Sequence, residues 1–418
     1  MKNRMKLTPL ERGWVAYDIG NSAFTMLVAT LFPIFFNARA ESAGISDTEY
    51  LAYWGYAGSI ATLLVAVIGP VCGTLADHRG FKKPIFLTAL LIGTVGCAIL
   101  GFFSHWLAFL VAFVIVKVAY SAGNVFYDAM LPEVTTQERM DAVSSKGYAY
   151  GYIGSCIPFI LSLVLVLIPG TFGLSQGQAM IAAFVLTAVW WFALTVPLLR
   201  RYRQTAYVEH EGNPVVSSFR QLGKTLRNVR MEKHIFLYLL SFFFFIDGVY
   251  TIIDMATAYG TALGLDTTGL LLALLVTQFV AFPFAILFGR LASQYNTGLL
   301  IKICILAYTG IAIFATFLNH QWQFWTLAVL VGMFQGGIQA LSRSYLGKII
   351  PAERSGEYFG LMDICGKGAS FVGMLLVSVV SQITGNMHLA VGSIVVIFVI
   401  GFALFCKADK LNQEFLSA

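Results

Sequence analysis

Asp18, Asn21 and Ser22 stand at i, i+3 and i+4 in the stretch WVAYDIGNSAF (14–24), which runs on apolar through Thr25–Phe36. Such intervals put three polar groups on one face of a helix. The arrangement recurs in other apolar runs: Lys117, Ser121, Asn124 and Asp128; Asp247, Thr251 and Asp254; Gln335, Gln339 and Ser342; Asp363 and Lys367. Acids, lysines and amides set in apolar surroundings can hold a small solute bearing an ammonium and a carboxylate, and a desolvated carboxylate can carry a proton. This is not the equipment of an enzyme, because no nucleophile stands beside a base and no P-loop is present. The six His lie in loops or at span edges, which excludes a His relay. The six Cys (72, 97, 156, 304, 365 and 406) lack paired spacing and read as packed thiols, so neither a metal nor another cofactor is expected.

Helices must present these groups, and the composition says in what solvent. The 418 residues are 58% hydrophobic and only 11% charged, too little charge to cover a water-soluble surface of this size. Apolar spans fall near 13–37, 50–75, 84–104, 107–131, 145–168, 177–199, 235–262, 268–292, 297–318, 322–347, 357–383 and 387–406. Each is long enough for a hydrocarbon layer of about 30 Å. The net charge of +6 is unevenly spread. With both termini on one side, that side collects 24 of the 27 Lys and Arg, from the tails, the central stretch and the 2–3, 4–5, 8–9 and 10–11 connections. That is the positive-inside pattern and not a nucleic-acid footprint, so both ends are expected in the cytoplasm, and in the inner membrane if the source is bacterial. MKNRMK leads into a helix too long for a signal core, so no cleaved leader is expected. The first helix should begin near residue 9, where Thr8, Pro9 and Glu11 supply a cap hydroxyl, a first-turn proline and a third-position acid.

The expected fold is an all-α membrane protein of twelve helices in two pseudo-symmetric six-helix bundles, 1–199 and 235–418, joined by a cytoplasmic linker at 200–234. Within the linker, SFRQLGKTLRNVR has apolar residues at helical spacing and reads either as a basic amphipathic helix on the membrane surface or as solvated linker. The halves echo each other: GTLAD (73–77) returns as GRLAS (289–293), LPE (131–133) as IPA (350–352), and each is followed by a Gly-rich, Tyr-bearing span start. Weak internal symmetry of this kind marks transporters with a substrate site between two repeats.

The polar faces fall on the first, fourth, seventh and tenth spans, equivalent positions in a threefold pattern. A central aqueous cavity is therefore expected, faced by Asp18, Asn21, Ser22, Lys117, Asn124, Asp247, Thr251, Asp254, Gln335, Gln339 and Lys367 as solute contacts. Bland readings stand beside these. Asp363 and Lys367 are ordered to pair along one helix. Asp128 could end its helix in a salt bridge, Lys117 could snorkel outwards, and Asn21 and Ser22 could join helices. Asp18 and Asp247 lack a like-spaced base on their own helices.

GTLADHRGFKK (73–83) fits the G-x-L-A-D-x-x-G-x-[KR]-[KR] motif between the second and third spans of the major facilitator superfamily, which the chain resembles. Gly73 allows close helix approach, Gly80 makes the turn, and Arg79, Lys82 and Lys83 offer countercharges to Asp77. The resemblance implies that this cluster latches the cytoplasmic helix ends. Asp128, Arg343 and Asp363 are further candidate gating residues. WVAYDIGNSAF (14–24), YDAMLPE (127–133), IDGVYTIIDMA (246–256) and LSRSYLGKIIPAERSGEYFGLMDICGKG (341–368) are closer to one branch, the fungal vacuolar amino-acid effluxers and their bacterial relatives. That branch implies export or vacuolar release of neutral amino acids.

The expected function is secondary transport of a small polar or zwitterionic solute by alternating access, with H+ as a candidate coupling ion, in a monomer surrounded by lipid. A multidrug exporter would carry an apolar cavity with one or two acids, whereas both charge signs and amides are present here. A non-transporting receptor would be favoured by a large soluble domain, and the sequence holds none.

Overall fold

In a computed structural model describing residues 6–45, 47–209, 214–227 and 232–417, the chain is almost entirely helical. Among the described residues, twelve helices are long and apolar enough to cross a membrane: Pro9–Ser42, Tyr53–Ala76, Lys82–Phe102, Trp106–Ala129, Gln137–Leu167, Gln176–Arg201, Lys233–Ala256, Leu272–Leu291, Thr297–Ala315, Gln321–Ile349, Ala352–Thr384 and Met387–Glu414. They are called the first to twelfth spans below. Buried apolar side chains sort into two cores, one from positions 14–202 and one from positions 235–408 with Ala129 added.

The first span begins where its cap residues demand. Thr8 Oγ1 accepts from Glu11 N at 3.2 Å, and Glu11 Oε2 accepts from Thr8 N at 2.7 Å. Glu11 also takes two bonds from Arg139, at 2.6 and 2.8 Å, and so ties the first span to the fifth. The first span breaks at Thr30 (φ −131°, ψ −76°) and resumes at Leu31. Pro33 explains the break: it has no N–H for the carbonyl of Ala29, and its ring crowds that carbonyl.

The fifth span differs from expectation, starting at Gln137 and not near 145. Its first two turns are too polar to register as membrane helix. They extend it past the apolar zone and supply Asp141 and Ser144, both fully or nearly buried against the tenth span.

The linker is more structured than its composition suggests. Residues 202–208 lie as a strap across the 2–3 connection. The buried Glu133 carboxylate accepts from the Tyr202 hydroxyl (2.9 Å), Thr205 N (2.6 Å) and Ala206 N (3.1 Å), while Val208 N donates to Asp77 O at 2.8 Å. A helix follows at Pro214–Arg227 and rests on the second span, with Ser217 Oγ 2.8 Å from His78 Nε2. Beyond it, Glu232 is held by Arg354 at 2.8 Å and by the Tyr358 hydroxyl.

Candidate functional site

The charged contacts between the two halves concentrate at the end that carries the basic connections, in three groups. The first is built on Asp77. Its Oδ1 accepts from Gly356 N at 2.8 Å and its Oδ2 from Glu357 N at 2.9 Å, so an acid of one half caps a helix of the other. A carboxylate placed there satisfies two otherwise free N–H groups and faces the positive end of the helix dipole. The approach requires glycine, because a Cβ on Gly73 would fall on the Gly356 carbonyl, and one on Gly356 on the Gly73 carbonyl. Lys82, fully buried, sits 3.6 Å from Asp77, 2.7 Å from Glu133 and 2.9 Å from Ser355 Oγ. Burial pushes the Asp77 carboxyl up to about 7, against the pull of Lys82 and the two backbone donors. Gly80 takes φ +79° at the turn. Arg79, expected as a countercharge, is instead 72% exposed, 3.6 Å from Glu209 and stacked over Tyr207. The buried countercharge is Lys82, whose position at the start of the third span aims it inwards.

The second group centres on Arg343, which is 3% exposed. It leaves the tenth span and enters the opposite half, where Nη2 lies 3.2 Å from Asp18 Oδ2, Nη1 3.0 Å from Asp128 Oδ1, and Nε 2.9 Å from Ser144 Oγ. Its guanidinium stacks at 4.6 Å over Trp14 and 4.2 Å over Tyr148. A planar cation with five donors suits a site of two carboxylates and aromatic faces. The Tyr127 hydroxyl gives Asp18 Oδ2 a further bond at 3.0 Å. Gly147 leaves room for this cluster, since a Cβ there would meet Asp18 Oδ2 at 2.6 Å.

In the third group, Asp141 of the fifth span accepts from Ser344 Oγ (2.6 Å) and Thr297 Oγ1 (2.8 Å) and pairs with Lys348.

Above this floor the polar side chains thin out. Asn21 Nδ2 donates to Asn124 Oδ1 at 2.7 Å, Tyr17 OH joins the same oxygen at 3.3 Å, and Tyr152 OH donates to Gln339 across the halves at 3.0 Å. Gln335 is buried one turn from Gln339. Further out, Lys117 of the fourth span lies within electrostatic reach of Asp254 and Lys367 of the other half. Asp363 and Lys367 pair with each other at 2.5 Å. Asp254 and Thr25 are exposed.

Several expectations need correcting. Asp18 does not line an open cavity: it is 7% exposed and held by Arg343, a base 325 residues away that helix spacing could not reveal. Ser22 Oγ donates to the Asp18 carbonyl of its own helix at 2.7 Å. Asp247 and Thr251 do not line an open cavity either, both being at 0% exposure. Asp247 Oδ1 accepts from Gly373 N at 2.9 Å and from Thr251 Oγ1 at 3.3 Å, inside the second half. Sequence reasoning missed the aromatic cage and the roles of Ser144, Asp141 and Glu133. The Tyr-rich run at 145–155 and acids near span ends were the available signals.

Residues 10–412 match the family model described as vacuole effluxer Atg22 like. The chain belongs to that family. A Bacillus subtilis (strain 168) protein titled uncharacterized MFS-type transporter YxiO is 41% identical over 404 residues, covering 96% of this chain and 94% of its own. Autophagy-related protein 22 of Kluyveromyces lactis is 24% identical over 407 residues, covering 87% of this chain and 80% of that one. Among solved structures, the transporter FucP in its outward conformation superposes with a TM-score of 0.71 at 13% identity, covering 96% of this chain and 97% of that one. The fold is thus that of the major facilitator superfamily, and this Atg22-like protein is a multi-pass membrane transporter and not an enzyme.

Proposed function

We propose that the protein is a secondary active transporter of a small polar or zwitterionic solute, an amino acid or a related metabolite, working by alternating access with proton coupling. The observation that carries this reading is the Arg343 cluster. One cation from the second half is held by two acids of the first, so the contact closes one end and can be undone as a unit. The closed end is the basic one, which the positive-inside rule assigns to the cytoplasm together with both termini. The other end then faces outwards and offers unlike charges from both halves: Lys117 on one side, Asp254 and Lys367 on the other. A carboxylate suits Lys117 and Lys367, an ammonium suits Asp254, and Asn21, Asn124, Gln335 and Gln339 line the way to the floor. The family description, an effluxer, supports transport as the activity.

Purified protein in liposomes loaded with unlabelled neutral amino acids tests this by counterflow of the labelled compound, with and without an imposed pH gradient. Saturable exchange that falls in Lys117→Gln and Asp254→Asn, and persists in Glu209→Gln, supports the reading. Exchange confined to bulky organic cations, indifferent to both substitutions, would overturn it.

A further inference from the structure

The contact between Asp128 and Arg343 sets an acid of one half against a base of the other, and it is only partly used. Asp128 gives Oδ1 to Arg343 Nη1 at 3.0 Å, while its Oδ2 has no hydrogen-bond partner among the described residues. The Asp128 side chain is 29% exposed, against 10% for Asp18 and 4% for Arg343, so water reaches Asp128 most easily. The other acids that join the halves at this end are filled: Asp77 and Asp141 each have both oxygens engaged. Tyr250 of the seventh span and Asp363 of the eleventh lie within electrostatic reach of Asp128 across the path, as does Tyr148 of the fifth. Both tyrosines are partly exposed, and their hydroxyls carry no hydrogen bond to a described residue.

The charges in this group do not balance. Two carboxylates face one guanidinium, and Asp363 is already matched by Lys367, so one negative charge is left over. That charge draws a cation. An ammonium, with three N–H donors, suits a free carboxylate oxygen beside two hydroxyls. Arg343 also has a donor to spare. Nε and both Nη2 hydrogens are taken by Ser144 and Asp18, and Nη1 uses one of its two on Asp128.

A free acceptor and a free donor on two groups in contact are the complement of a compound whose ammonium and carboxylate share one carbon. We propose that the Asp128–Arg343 pair seats the head of the transported α-amino acid, with the ammonium on Asp128 Oδ2 and the carboxylate on Arg343 Nη1. This rests on the transport reading above and names where the solute ends its inward path. Lys117 stands eleven residues before Asp128 on the same span, about 16 Å by the helical rise, too far for one small solute to touch both. Lys117 and Asp254 therefore meet the solute on the way. Once seated, its two charges compete with the ion pair itself, so the solute takes apart one of the contacts that block its exit.

Full-length protein in liposomes is assayed by counterflow of labelled neutral amino acids. Each is competed by the unlabelled compound and by the acid lacking its amino group, propionate for alanine and 3-methylbutanoate for valine. Wild-type protein should prefer the amino compound at least tenfold. Asp128→Asn should abolish that preference, and Asp128→Glu should restore it. A residue that only closes the end would shift both competitors alike and leave the preference intact. Spin labels on the fourth and tenth spans of otherwise wild-type protein give a readout that serves if Asp128→Asn does not fold. An exchanging amino acid should lengthen the distances at the basic end, and its des-amino acid should not. A preference kept by folded Asp128→Asn, or distances unmoved by an exchanging amino acid, would overturn the seat and leave the transport reading standing. No exchange of any neutral amino acid by wild-type protein would defeat the transport reading and the seat with it.

Discussion

Asp77 of the first half caps the eleventh-span helix of the second, with each of its carboxylate oxygens receiving one backbone N–H, from Gly356 and from Glu357. Because no side chain of the capped helix takes part, the contact depends on backbone approach, and the two glycines at 73 and 356 permit it.

The closed arrangement should respond to pH through this acid. Its pKa is about 7 when buried, and it returns to the usual range near 4 once the end opens to water. Closing therefore takes up a proton between those values, so lowering the pH from 8 to 6 should favour the closed end. The measurement is labelling of a cysteine placed at Ser144, in a variant without native cysteines. Labelling should slow as pH falls, and Asp77→Asn should flatten the dependence.

Arg343→Gln should leave Asp18 and Asp128 without their cation. Breaking one partner of a buried pair costs about 3–5 kcal/mol, charged here to the closed state alone, so the variant should fold and rest with the basic end open. Spin-label distances between the fourth and tenth spans would show the shift, and transport should fall by at least tenfold. An unchanged distance distribution would remove Arg343 from the gate.

Asp18→Asn keeps the bond from Tyr127 and loses only the charge facing Arg343. Exchange between states should speed up or become biased while the melting temperature changes little. Uptake per folded molecule, measured beside the melting temperature, separates this from simple destabilisation.

Asp247→Asn should do almost nothing to transport. Its oxygen would still accept from Gly373 N, and the amide replaces a carboxylate whose other oxygen has no partner. Loss of uptake by well-folded protein would show that this acid carries charge during the cycle.

Orientation has its own check. In a background without native cysteines, Glu41→Cys should react with an impermeant maleimide on intact cells, and Glu209→Cys only after lysis. The reverse would invert the map.

What the sequence discloses is what short-range rules govern. Thr8 and Glu11 cap a helix through contacts three residues apart, so the start of the first span is readable directly. Gly73, Asp77 and Gly80 form a motif whose spacing survives in one stretch. Asp18 and Asp247 have equally good helical companions, yet one meets the opposite half and the other turns into its own. Periodicity says which residues share a face; it does not say where the face points. The Arg343 cluster was hidden for a related reason, because its partners come from the first, fourth and fifth spans.

The way the linker is fastened at both ends sets a leash. Its helix is moored to the first half through Ser217 and His78, and Glu232 is moored to the second through Arg354 and Tyr358. From Arg227 to Glu232 the chain makes five steps, which reach at most about 17 Å when fully drawn out. The two halves can swing apart at the basic end only within that slack. A wider excursion must first peel the linker helix from the second span, so lengthening the leash by a few Gly-Ser pairs should widen the stroke without touching any gate residue.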